Sequence, residues 1–262
     1  MKIEFDHTLS SLYSKDIDIG KNVILIPYYP SPNIISNYPI HSPILNDYIL
    51  HLEAMRTAFI SGNILVYLNK KKTNTDYLIK YWKKYLQNCP VLKNIPNYYN
   101  EINKKYIVLF PHFYLSENQY LLNPSLHYEL LSKETIIKIE TKQPKTFVFN
   151  LFKDSINKLI SLPYPYIIKI THGLGGYGTW IINDEKDFIK IIQKVKNRKH
   201  EKIIISELIK NVISNYCLQF YISKNENNDI ILGITRQIID SNCNWKGSYI
   251  DYREQNKLKN KL

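Results

Sequence analysis

Four of the chain's eight glycines fall within six residues, Gly173-Leu-Gly175-Gly176-Tyr-Gly178, and no other feature narrows the fold as much. Upstream stands Tyr166-Ile-Ile-Lys169-Ile170, a β-branched run carrying one lysine. Downstream stands Thr179-Trp-Ile-Ile182, a second run of strand character. Glycine has no Cβ to hold neighbours off and takes positive φ at little cost. A cluster of glycines therefore lets backbone N–H groups close on a polyanion. Between two strands the cluster predicts a flexible hairpin flap over phosphate, with Lys169 as its cation. The alternative is a glycine-rich turn without a ligand, although ordinary hairpin turns seldom use four glycines.

The same residues satisfy G-x-G-x-x-G, and the better-known owners of that pattern do not fit. A dinucleotide fingerprint opens a helix directly from its glycines, whereas Thr179–Ile182 intervene here and the next helix start signal is Asn183-Asp184. A P-loop continues into Gly-Lys-Ser/Thr, and no lysine follows these glycines. A protein-kinase loop is followed by His-Arg-Asp and Asp-Phe-Gly motifs, both absent from this sequence.

Length and composition allow one large or two small domains: 262 residues, 44% hydrophobic and 22% charged, indicate a globular chain with real cores. Its longest apolar runs, such as Val23–Ile26 and Ile203–Ile205, are too short to span a bilayer, and Met-Lys-Ile-Glu-Phe-Asp-His is not a signal sequence. Cys89, Cys217 and Cys243 are odd in number and widely spaced, so a cytoplasmic protein with reduced thiols and no metal or disulfide framework is expected. The net charge of +12 raises polyanion binding as an alternative. The lysines are dispersed, however, and the abundance of Lys, Asn, Ile and Tyr reads as codon bias.

The chain alternates strand and helix. Strands are expected at 21–26, 64–68 and 105–110. Helices are expected at about 44–60, with Leu45, Tyr48, Leu52, Met55 and Phe59 on one face, and at 74–87, with Tyr77, Tyr81 and Leu86 among its apolar positions. This pattern predicts a small parallel α/β domain over residues 1–123. Beyond it, a helix from Asn123 to Lys133, a strand at 144–149, a helix at 154–162, the glycine hairpin and a helix at 184–197 follow. That last helix places Phe188, Ile191, Ile192 and Val195 on one face. A strand from Lys202 and a hairpin of Tyr216–Ser223 against Asp229–Ile234 complete an α+β domain over 124–262.

The stretch from about Leu131 to Ser248 resembles the ATP-grasp superfamily of carboxylate–amine and carboxylate–thiol ligases. Tyr164–Ile182 is similar to that family's lysine strand and glycine flap, and Ile203-Ile-Ile-Ser-Glu207-Leu208-Ile209 to its adenine hinge. Ile231–Gln237 with Trp245–Ser248 is similar to the strand and loop that follow. Residues 1–123 match the preceding small α/β domain of amino-acid and peptide ligases in architecture only. The resemblance implies ATP and Mg²⁺ as cofactors. It places Lys169, Lys133 and the flap glycines Gly173, Gly175, Gly176 and Gly178 on the nucleotide, Glu207 on the adenine amino group, and backbone at Leu208–Ile209 on the purine ring.

Two departures qualify what the resemblance implies. Ser214 and Asn215 stand where the family commonly has a ribose-binding acid. The Glu-x-Asn strand that holds Mg²⁺ and the acyl phosphate is not found; Glu254-Gln-Asn256 has the spelling without strand pattern, and no catalytic residue or metal ligand is assigned. The expected function is thus the ATP-binding portion of a ligase joining small carboxylates to amines, completed by a further segment or second polypeptide. An inactive nucleotide-binding module and a basic polyanion-binding protein are the alternatives.

Overall fold

The computed structural model describes the chain except residues 1, 3, 21, 28–53, 69–74, 95–102, 114, 174, 198–200, 226–228 and 260–262. The described residues form two compact units. One takes residues up to Tyr128 together with Phe220–Leu232; the other takes Glu129–Gln219 and the chain from Gly233.

The first unit is built on four parallel strands, β1 (Val23–Ile26), β2 (Leu65–Leu68), β3 (Val91–Asn94) and β4 (Lys105–Val108), in the order β3-β2-β1-β4. All four residues of β1 are buried, as a central strand covered on both faces requires. Val23, Leu25, Val66 and Ile107 pack with Ala54, Met55 and Ala58 of α2, described over residues 54–59, and with Trp82 and Leu86. Ile24, Ile26, Tyr67, Tyr106 and Leu115 form the cluster on the other face. A short α1 (Leu9–Tyr13) begins at Thr8, whose side chain accepts from the Ser11 N–H. Of the expected stripe on the helix at 44–60, Met55 is buried and Phe59 packs against the core; Leu45, Tyr48 and Leu52 lie outside the described residues.

Two readings change in this unit. In α3 (Thr75–Tyr85) Tyr77 and Tyr81 are exposed, and the inward stripe is Leu78, Trp82 and Leu86. A tyrosine keeps its hydroxyl wet at little cost, so the larger apolar indole takes the core position. Strand β3 was not anticipated: it is an edge strand whose Val91 is exposed, so it carries no buried alternation to read.

The second unit holds an antiparallel sheet of β5 (Thr146–Asn150), β6 (Tyr166–Ile170), β7 (Thr179–Ile182) and β8 (Lys202–Glu207), ordered β5-β8-β6-β7. Tyr166, Ile168, Ile182, Ile203 and Ile205 form its core with Phe188, Ile191, Ile192 and Val195 of α7 (Glu185–Asn197). A four-residue α6 (Asn157–Ile160) replaces the longer helix expected at 154–162. The helix expected from Asn123 to Lys133 breaks into α4 (Pro124–Leu130) and α5 (Lys133–Ile137), because the Ser132 side chain accepts from the Glu134 N–H and starts a new helix. A three-stranded sheet, β11-β10-β9, comprises β9 (Asn215–Tyr221), β10 (Ile230–Ile239) and β11 (Trp245–Tyr249). Strand β10 runs beyond the expected Ile234, and β11 occupies what was read as a loop. Tyr252–Lys259 forms α8, so Glu254-Gln-Asn256 is helical.

Candidate functional site

Alternation along β6 turns Tyr166, Ile168 and Ile170 into the core and leaves Lys169 on the opposite face, in register with Thr179 and Ile204. Burial lowers the Lys169 pKa from its ordinary value, while interaction with Cys243 raises it. Lys133 reaches the same place from α5. Its backbone N–H donates to Thr171 O at 2.8 Å, and its Nζ donates to Gly173 O at 2.7 Å. Burial first, and then the Lys169 charge, push the Lys133 pKa down to about 8. Among the described residues neither lysine has an ion-pair partner. Two half-buried ammonium groups without a counter-charge make a site poised for an anion.

The glycine loop is held in three places. Ile170 N donates to Gly178 O at 2.8 Å, Thr179 N to Gly176 O at 3.1 Å, and Trp245 N to Gly175 O at 3.0 Å. Gly176 sits at φ +89°, and a Cβ there would stand 2.0 Å from Cys243 O. Its identity is therefore imposed by the backbone of the turn at 240–245. That turn is organised by Asp240, which accepts from Asn244 N at 2.8 Å, Asn242 N at 2.9 Å and the Asn244 side chain, and pairs with Lys246 at 3.1 Å. These bonds, led by that from Asn244 N, hold the Asp240 pKa near 2. The sequence reading missed this turn, although Asp240-Ser-Asn-Cys-Asn244 is rich in residues that bond their own backbone.

The hinge residues lie further along the same sheet. Glu207 ends β8 opposite Tyr166, three positions from the Ile204 that faces Lys169, or about 10 Å at strand spacing. Its N–H donates to Lys145 O at 2.9 Å and its side chain is exposed. Leu208 is half-buried, and Ile209, Val212 and Ile213 are exposed, Ile213 at 98%. Ser214 directly precedes β9 and Asn215 is its first residue.

No three His, Cys, Asp or Glu side chains converge among the described residues into a set able to hold a metal ion. Glu254 is exposed, and its neighbour Gln255 is occupied structurally, accepting from Ile234 N at 2.9 Å and donating to Ile234 O at 2.6 Å. No helix among the described residues is long and apolar enough to cross a membrane.

Residues 144–261 match the family model described as L-aspartate--L-methionine ligase, ATP grasp. The fold is similar to N5-carboxyaminoimidazole synthetase from Staphylococcus aureus complexed with ADP, at a TM-score of 0.52 and 14% identity, covering 94% of this chain and 63% of that one. The segment 144–261 is thus similar to an ATP-grasp family, over somewhat less than half of the chain. Phosphoribosylamine--glycine ligase from Thermotoga maritima lies at a TM-score of 0.45 and 13% identity, over 91% of this chain and 58% of that one. D-alanine--D-alanine ligase from Bacillus anthracis complexed with ATP lies at 0.39 and 14%, over 84% and 66%. No protein of curated function matches in sequence. The chain thus spans less than two thirds of the length of each of these structures. Its segment in the family match carries Lys169, the glycine loop and Glu207, whereas Lys133 lies outside it.

Proposed function

We propose that this chain is the nucleotide-binding portion of an ATP-grasp ligase that joins a small carboxylate to an amine. The supporting observation is the convergence of Lys133 and Lys169 at the glycine loop, with the Lys133 ammonium 2.7 Å from Gly173 O and no acid pairing either lysine among the described residues. In this reading the two lysines hold the phosphates of ATP, and the N–H groups of Gly173–Gly178 lie over them. Glu207 accepts from the adenine amino group, and Leu208 and Ile209 offer backbone and apolar contact to the purine. ATP supplies the phosphoryl group that activates the carboxylate as an acyl phosphate. The Mg²⁺ ligands and the floor of the reaction come from a further segment or a second polypeptide, and the complex works in the cytoplasm.

The direct test is nucleotide binding by the intact chain. ATP or ADP at about 100 times its dissociation constant should stabilise the fold by about 2.7 kcal/mol. Lys169→Ala should weaken binding about tenfold or more, through loss of a charge-assisted contact of roughly 1.5–3 kcal/mol. Glu207→Ala should reduce discrimination between ATP and GTP while leaving phosphate recognition mostly intact. If Lys169→Ala folds and binds like the parent, the glycine loop is not a phosphate cover.

A further inference from the structure

The two lysines at the glycine loop are not equivalent. Lys169 projects from β6, which lies inside its sheet between β8 and β7, whereas Lys133 is the first residue of the short helix α5. The Lys133 backbone N–H donates to Thr171 O at 2.8 Å, and its ammonium donates to Gly173 O at 2.7 Å, so the amine is held against the loop. The adjacent acid, Glu134, is taken by Lys202 at 3.0 Å. Lys133 is left with a like charge beside it, Lys169, and with no carboxylate partner among the described residues.

That setting makes Lys133 a nucleophile. Burial, and then the Lys169 charge, bring its pKa to about 8. At about pH 7.5 roughly a quarter of such amines are unprotonated, against about one in a thousand at the ordinary lysine value. A desolvated lysine next to a second cation is a recognised form of activated amine. Both lysines are half-buried and not sealed, so a small reagent reaches them. The place therefore offers a nucleophilic amine beside an ammonium and a loop of glycine N–H groups, which together suit an anion. A reagent that matches both halves carries an electrophilic carbonyl and a phosphate on one small molecule.

We propose that Lys133 is a modification site, acylated by small acyl phosphates of which acetyl phosphate is the simplest, and that acylation turns the nucleotide site off. The phosphate of the reagent is held by Lys169 and the loop N–H groups, with its carbonyl towards Lys133 Nζ. The Nζ lone pair forms a bond to the carbonyl carbon, and the bond from that carbon to the phosphate oxygen breaks. Inorganic phosphate leaves with the bonding pair, and the nitrogen gives up a proton to water. The amide left on Lys133 carries no charge, so one of the two phosphate-holding cations is lost. The effect on nucleotide rests on the function proposed above; the acylation itself needs only the anion site.

The full chain is incubated with acetyl phosphate at that pH, and acetylation of each lysine is followed by peptide mass spectrometry. Lys133 should react at least about tenfold faster than the exposed Lys158 and Lys190. Its rate should saturate in acetyl phosphate and be suppressed by inorganic phosphate and by ADP. An acetyl ester without phosphate, para-nitrophenyl acetate, should show no saturation and a smaller preference for Lys133. Lys169→Met should slow the reaction with acetyl phosphate about tenfold, and the acetylated chain should bind ADP about tenfold more weakly than the parent. The acylation is overturned if Lys133 reacts no faster than Lys158, if its rate rises linearly with acetyl phosphate, or if the ester prefers Lys133 as strongly. Saturable acylation blocked by inorganic phosphate but not by ADP upholds the modification and overturns the nucleotide reading. ADP binding to a chain whose Lys133 is unreactive does the reverse.

Discussion

At the level of single residues, the site is governed by the cost of keeping two ammonium groups close together and partly out of water. Lys133 has a pKa near 8 against an ordinary 10.5. The unfolded chain therefore holds the extra proton between those values. The penalty of burying the charged form is fully present below pH 8 and is relieved as pH rises towards 10.5, so this residue makes stability rise with pH across that window. Anion binding runs the other way, because it needs the protonated form. ADP affinity should be level up to about pH 8 and fall above it, with proton uptake on binding near pH 8. Calorimetry in buffers of different ionisation enthalpy measures both, and in Lys133→Met the uptake should disappear. Two glycines give a sharper contrast. Gly175 has φ +59° with open space around its absent Cβ, whereas Gly176 would drive a Cβ to 2.0 Å from Cys243 O. Gly175→Ala should cost only the left-handed strain of about 1–2 kcal/mol and keep nucleotide binding. Gly176→Ala should displace the loop and lose binding, as titration of both variants with ADP would show.

At the level of elements, the readings that held were those in which burial and periodicity coincide. In α7 the spacing of Phe188, Ile191, Ile192 and Val195 identifies the buried face, and all four are buried. The strands on either side of the glycines pair antiparallel as a hairpin. Elements with weak apolar signal were misread or missed. Edge strand β3 exposes Val91, β11 exposes Trp245 and Tyr249, and the break before α5 depends on one serine side chain. The site divides the same way: Lys169 and the glycines are legible because they are contiguous, whereas the turn that carries them lies more than sixty residues away in sequence. Phe188→Ala should therefore destabilise the second unit by about 3–5 kcal/mol. Tyr81→Ala on the exposed face of α3 should stay within about 0.5 kcal/mol. Denaturant unfolding of the two variants compares the two predictions directly.

At the level of the whole molecule, binding and turnover are expected to separate. The phosphate contacts proposed for Lys133, Lys169 and the loop amides do not depend on a metal, so ADP should still bind in the presence of EDTA, with lower affinity. Phosphoryl transfer asks for more. It is accelerated almost wholly by positioning and by neutralising the charge that develops on the transferred group. Among the described residues no three His, Cys, Asp or Glu side chains converge, and Glu254 is an exposed residue of α8 whose neighbour Gln255 fastens that helix to β10. The chain alone should therefore bind nucleotide with no substantial release of ADP from ATP, with or without carboxylate and amine. Adding a polypeptide that supplies the remaining sheet should produce amine- and carboxylate-dependent turnover, and Lys169→Ala should remove it. A steady-state assay on the purified chain decides the matter. Substrate-dependent ADP release that vanishes in Lys169→Ala, without any added partner, would place the metal ligands within this chain, and Glu254→Gln and Asn256→Ala would be the first substitutions to locate them.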